Sequence, residues 1–147
     1  MREIDSAIVF NKLNFMERYL QNLKQFESLT LEEYLLDSQR QLAIERLLQL
    51  TIQVALDVNR YFFKCLDLPQ PEKNFDTFIE LSRLNIITPE LAEVLAESGS
   101  LRNRLVHLYE EINPVLVHVA IEKALRYYPI YQRQVTTYLD SLEVNDG

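Results

Sequence analysis

Glycine is nearly absent from this chain: Gly99 and Gly147 are the only two among 147 residues. Strands joined by tight turns need many residues able to take positive φ, which glycine does without steric cost. So few glycines point to helices. Cys65 is the single cysteine, which permits no internal disulfide and no cysteine-based metal cluster, so a reducing compartment is expected. With 48% apolar residues, the chain suits one domain, residues 1–147, that buries most of its surface around a hydrophobic core.

The N-terminal stretch MREIDSAIVFNKLNFMERYL carries charges throughout and lacks the apolar centre of a signal peptide. No apolar run approaches the roughly 20 residues that span a bilayer. Gln53, Asp57 and Asn59 break the longest one. The expectation is a cytoplasmic protein with no membrane association. A net charge of −7 argues against a broad basic surface for nucleic acid, since phosphate neutralisation supplies most of that affinity. Any RNA contact has to rest on local positive charge.

Apolar residues from Ile4 to Phe26 recur at spacings of three and four, predicting a first helix over residues 3–27. Thr30 and Glu33 form a capping box for a short turn of helix, and Asp37 or Ser38 caps the next element. From Arg40 to Leu66 the apolar positions wrap widely around a long, central second helix. Pro69 and Pro71 end it in a PQPEKN loop, and a shorter helix covers Thr77 to Leu84. Thr88 with Pro89 opens another helix, in which Ser98, Gly99 and Ser100 give a kink or a fresh cap. Asn113 with Pro114 opens the last, which bends or restarts near Pro129. The fold class expected is all-α: an up-and-down bundle of four to five helices.

The informative stretch is SLRNRLVHLYEEIN, Ser100 to Asn113. Read as a helix at about 100° per residue from Arg102, it places Leu101, Leu105, Leu108 and Ile112 together as a core stripe. Arg102, Val106, Asn103 and His107 then face away from the core, with Asn103 one turn from His107. Tyr109 sits beside Arg102 at the border of the stripe. An arginine and a histidine on one face suit metal-free RNA cleavage. Imidazole moves the proton, and guanidinium stabilises a pentavalent phosphorane through paired hydrogen bonds. Such a reaction uses both a base and an acid. A two-fold axis through Val106 brings a second His107, so a homodimer is expected.

A bare R-x4-H pair arises by chance in roughly one such chain in ten, whereas adding Asn103 and Tyr109 at their positions lowers that to about one in several thousand. The stretch RNRLVHLY fits the R-x4-H-x-Y motif and resembles the HEPN superfamily, specifically the HepT toxins formerly grouped as DUF86 proteins. The preceding SQRQLAIERLLQLTIQVALDVN is similar to that family's long second helix, and FDTFIELSRLNIITPELAEVLA keeps a similar spacing to the motif. The resemblance implies a HEPN bundle acting as an endoribonuclease on tRNA or mRNA, paired with a minimal nucleotidyltransferase antitoxin, MntA. It further implies Arg102 and His107 as the catalytic pair, Asn103 as a supporting residue, and Tyr109 as the tyrosine that the antitoxin modifies with AMP. Ser100 and Leu101 depart from the glycine and aromatic residue that often stand there. No cofactor and no metal is implied.

Other residues have plainer readings. His118, within VLVHVA, is expected to be a hydrogen-bonded core residue. Asp57 orients Arg102 or Arg104 from the second helix, or is purely structural. Arg104 suits an ordinary surface salt bridge, and Cys65 a small buried hydrophobe. Glu110 and Glu111 place charge beside the motif that opposes phosphate. The competing function is a non-catalytic helical subunit that holds substrate for a nucleotidyltransferase, which the acidic balance favours. The intact Arg102 and His107 pair favours the nuclease over both that role and a plain dimerisation scaffold.

Overall fold

The computed structural model describes residues 3–107 and 112–146, the side chains of 144–146 apart. Among these residues there are six helices and no strand: α1 (Ser6–Lys24), α2 (Leu31–Leu35), α3 (Ser38–Cys65), α4 (Asn74–Arg83), α5 (Pro89–Val106) and α6 (Pro114–Asp146). The expected count of four to five is exceeded because α2, with its 5 residues, is a helix in its own right. α4 starts at Asn74, earlier than the Thr77 expected. No helix among the described residues is long and apolar enough to cross a membrane.

Local chemistry sets most boundaries. Thr30 and Glu33 form the reciprocal capping box, whose backbone and side-chain bonds from Thr30 hold the Glu33 carboxyl below its ordinary pKa. Asp37, not Ser38, caps α3, its Oδ1 accepting from Arg40 N at 3.0 Å. Thr88 caps α5 with Pro89 in the first turn, and Asn113 Oδ1 accepts from Val115 N at 3.0 Å where α6 begins.

The helix ends explain how the fold manages with so little glycine. Asp67 (φ 54°) and Asn85 (φ 60°) take the left-handed conformation just after α3 and α4. At α3, Leu68 N donates to Phe63 O at 2.9 Å and Asp67 N to Lys64 O at 3.3 Å. The same pair recurs after α4, from Ile86 to Leu81 at 3.2 Å and Asn85 to Ser82 at 3.0 Å. These are Schellman motifs built on Asp and Asn, which tolerate positive φ better than other side-chain-bearing residues.

α3 packs against all five other helices, as its wide apolar surface anticipates. Ile44, Leu48, Ile52, Leu56, Phe62 and Phe63 are buried along it. α6 supplies Val117, Ile121, Tyr128, Tyr131, Val135 and Leu139 to the same core. It neither restarts nor ends at Pro129, which lies inside it. An interior proline costs about 3 kcal/mol; burying Tyr128 just before it and Tyr131 two residues after it offsets that cost.

Ser98, Gly99 and Ser100 do not interrupt α5 either, which is one continuous helix. Gly99 is buried against the start of α4, where an added Cβ would lie 2.9 Å from the carbonyl carbon of Asn74 and 3.0 Å from its oxygen. The glycine lets two backbones approach rather than letting one of them bend.

A buried polar triad fixes α3, α4 and α6 in register. Asn59 Nδ2 donates to Thr77 Oγ1 at 3.1 Å, Thr77 Oγ1 donates to Asn74 O at 2.8 Å, and Tyr131 OH donates to Asn59 Oδ1 at 2.6 Å. Burial pushes the Tyr131 phenol well above its ordinary pKa, with Tyr128 adding to the effect, so it stays a donor. Tyr131→Phe leaves a buried amide oxygen without that donor. The expected loss is about 1–3 kcal/mol, read as a lower urea midpoint at unchanged m-value.

Candidate active site

The last turns of α5 carry Arg102, Asn103 and Arg104. Leu101 and Leu105 turn inward onto the core, which leaves Arg102 half-buried beside α3 and Asn103 exposed. Arg102 Nε donates to Gln53 Oε1 at 2.7 Å, and Gln53 Nε2 donates in turn to Asp57 Oδ1 at 2.8 Å. On the other side, Arg102 Nη1 reaches Asn103 Oδ1 at 3.5 Å, the outer limit of a hydrogen bond. The same oxygen accepts from Asn74 Nδ2 at 2.9 Å. Asn74 Oδ1 accepts from Arg60 Nη2 at 2.9 Å, and Arg60 Nη1 is held by the Pro71 carbonyl at 2.9 Å.

Donor chemistry fixes the direction of every amide in this chain. Arginine only donates, so the oxygen of Gln53 must face Arg102, and its NH2 then faces Asp57, a carboxylate that only accepts. Arg60 likewise fixes the oxygen of Asn74, whose NH2 must then donate to Asn103. The oxygen of Asn103 is committed inward by Asn74 and Arg102, which leaves its NH2 as the group to meet a ligand.

The helical placement expected of His107 is overturned. α5 ends at Val106, and His107 is its C-cap with φ −80° and ψ 94°, outside the helix, its N–H donating to Arg104 O at 3.3 Å. Asn103 therefore has no (i, i+4) neighbour within the helix, and bonds across to Asn74 instead. A helix continued to Ile112 would carry Glu110 and Glu111 in its last turn, against the negative end of its dipole. His107 is exposed, and no hydrogen bond among the described residues joins it to Arg102 or Asn103. Tyr109 lies outside the described residues, as do Leu108, Glu110 and Glu111. Ile112 packs on the core, although from outside any helix.

Asp57 reaches Arg102 through Gln53 rather than directly. Gln53 and Asn74 bond to the candidate residues Arg102 and Asn103, although neither was expected there. A polar (i, i+4) pair, Gln53 with Asp57, in an apolar stretch was the available signal for the first. Asn59, in the same stretch, is purely structural. Arg104 is exposed and has no ion-pair partner among the described residues. It borders a groove of about 280 Å³ between α5 and α6, floored by Tyr128 and rimmed by Phe75, Leu116, Val119 and Lys123. Burial raises the pKa of the Tyr128 phenol, against the opposing effect of its bond to Ser98. Cys65 is buried. His118 is half-buried, its Nε2 2.6 Å from Leu29 O; a carbonyl only accepts, so Nε2 carries the hydrogen. Among the described residues, no three His, Cys, Asp or Glu side chains cluster as a metal site would require.

Residues 16–135 match the family described as Ribonuclease HepT-like. The chain is 46% identical over 143 residues to the tRNA nuclease HepT of Aphanizomenon flos-aquae, covering 97% of each. It is 30% identical over 116 residues to the mRNA nuclease HepT of Shewanella oneidensis, covering 76% of this chain and 84% of that one. Among solved structures, the tri-AMPylated HEPN toxin of Shewanella oneidensis, in complex with its MNT antitoxin, superposes with a TM-score of 0.78. That likeness is at 23% identity and covers 88% of this chain and 97% of the other.

Proposed function

The chain belongs to the HepT-like family, and from that membership we propose that it is a metal-independent endoribonuclease toxin with Arg102 and His107 as its catalytic pair. The observation that carries this reading is the Arg102 guanidinium, held on two sides at the end of α5 with His107 exposed at the cap immediately beyond it. The 2′-hydroxyl of the RNA attacks the adjacent phosphorus and passes its proton to one imidazole. The bond from phosphorus to the 5′-oxygen breaks, and a second imidazole protonates that oxygen. Arg102 and the Asn103 NH2 stabilise the charge on the non-bridging oxygens. The products are a 2′,3′-cyclic phosphate and a 5′-hydroxyl. Of the two RNA classes, the higher identity to a tRNA nuclease favours tRNA.

A second His107 comes from a homodimer. Supporting this, Val106 is 37% exposed at the end of α5, and Val115, Leu116 and Val119 leave apolar surface on the facing part of α6. Control falls to a nucleotidyltransferase antitoxin of the MntA type that transfers AMP to Tyr109, adding charge and bulk where the substrate phosphate must lie. A cytoplasmic location fits both the substrate and the partner.

One set of measurements tests the reading. The purified chain should cleave RNA in excess EDTA, leave 2′,3′-cyclic phosphate ends, and scatter light as twice 17.4 kDa. After co-expression with its nucleotidyltransferase, mass spectrometry should find AMP on the Tyr109 peptide, and cleavage should stop. Activity that disappears with EDTA and returns with magnesium would overturn the mechanism.

A further inference from the structure

We propose that Gln53, anchored by Asp57, is a positioning residue for Arg102 that selects which edge of the guanidinium meets the phosphate. The inference rests on Arg102 being the catalytic arginine. Guanidinium can grip a phosphate in parallel pairs through either of two edges, one formed by Nε with one terminal nitrogen and the other by the two terminal nitrogens. In this structure Nε is already spent on Gln53 at 2.7 Å. The edge formed by Nη1 and Nη2 is what remains, with Nη1 3.5 Å from Asn103 Oδ1.

The clamp stands on the central helix, which packs against all five others. Gln53 is itself half-buried and follows Ile52, which is buried on the central helix α3. Its amide cannot flip, because Arg102 offers only donors on one side and Asp57 offers only acceptors on the other. Asp57 is exposed and does not touch Arg102, so its effect on the arginine runs through the amide. Without Gln53, Arg102 keeps only the long contact to Asn103 and is free to swing its Nε edge outward.

The test is steady-state cleavage of an RNA oligonucleotide by the whole chain carrying Gln53→Met, Gln53→Glu together with Asp57→Asn, Arg102→Ala, and the double variant Gln53→Met with Arg102→Ala. Gln53→Met keeps the length of the side chain and removes the acceptor. It should lower kcat by about 10- to 100-fold, as expected of a mispositioned group, with KM changed far less. Gln53→Glu made together with Asp57→Asn restores an acceptor for Nε and gives the new carboxylate an amide donor instead of a second carboxylate, so this pair should recover most of the rate. In the Arg102→Ala background, Gln53→Met should cost nothing further. If Gln53→Met does not fold, Gln53→Ser, too short to reach Nε, takes its place with the same expectation. Wild-type kcat in Gln53→Met beside an inactive Arg102→Ala would overturn the clamp and leave the catalytic reading standing. Equal losses from Gln53→Met in both backgrounds would overturn it too, as would failure of the paired Gln53→Glu and Asp57→Asn to recover activity. Full activity in Arg102→Ala would sink the catalytic reading and the clamp with it.

Discussion

Replacing His107 by alanine should slow RNA cleavage by about 100- to 10,000-fold, the range that a positioned proton-transfer group contributes. The fold should not notice: His107 is exposed, caps α5 through its backbone rather than its ring, and makes no side-chain hydrogen bond among the described residues. Circular dichroism and the melting midpoint should therefore match the wild type. Arg102→Ala should cost about 100- to 1,000-fold, as removal of one preorganised stabiliser of developing charge does. It also strips Gln53 of its partner, which is half-exposed and can turn to water. Arg102→Lys should recover little of the rate, because a point charge cannot reproduce the planar fork. Single-turnover kinetics on the purified variants would check the series, and near-wild-type rates in both alanine variants would place the chemistry elsewhere.

Gly99→Ala should do more harm than so small a change suggests. In an exposed helix the substitution would gain about 1 kcal/mol of helix propensity. Here the new methyl would lie 2.9 Å from Asn74 C, 3.0 Å from Asn74 O and 3.1 Å from Phe75 N, all backbone atoms. The start of α4 has to retreat, and overpacking of this kind costs about 1–3 kcal/mol. The melting midpoint should fall by roughly 3–10 °C for a chain of this size. Activity should fall as well, because the displaced residue is the one whose side chain holds Asn103 and whose carbonyl accepts from Thr77. A variant that melts at the wild-type temperature would show that α4 yields without cost.

What could be read from the sequence is what is decided within a few residues. Thr30 with Glu33, Asp37, Thr88 with Pro89, and Asn113 with Pro114 each mark a helix start through bonds to their nearest neighbours. The wide apolar surface of α3 was legible in the same way, since periodicity is local. Gly99 was misread as an interruption because its reason lies on another helix. The motif marks Arg102 but carries nothing about its setting. Gln53 lies 49 positions from Arg102, and Asn74 lies 29 from Asn103, separations at which spacing carries no information. The end of α5 at Val106 was missed because the apolar stripe continues through Leu108 and Ile112 in sequence, and periodicity took no account of the acidic pair that follows.

The bond from His118 to the carbonyl of Leu29 has a practical consequence for anyone who wants to watch the site in solution. The chain contains two histidines, so a nitrogen-15 spectrum of its imidazoles holds two ring systems and no more. One of them is tethered as a donor between α6 and the connection that follows α1, packed near the Tyr34 ring at 5.8 Å, with its tautomer set by the carbonyl it serves. The other stands in water at the end of α5. The first is thus a built-in reference, sensing the integrity of the bundle through its bond to Leu29 rather than to any residue of the motif. A substrate analogue that shifts only the second signal reports on His107 itself, and one that shifts both reports that the bundle has changed.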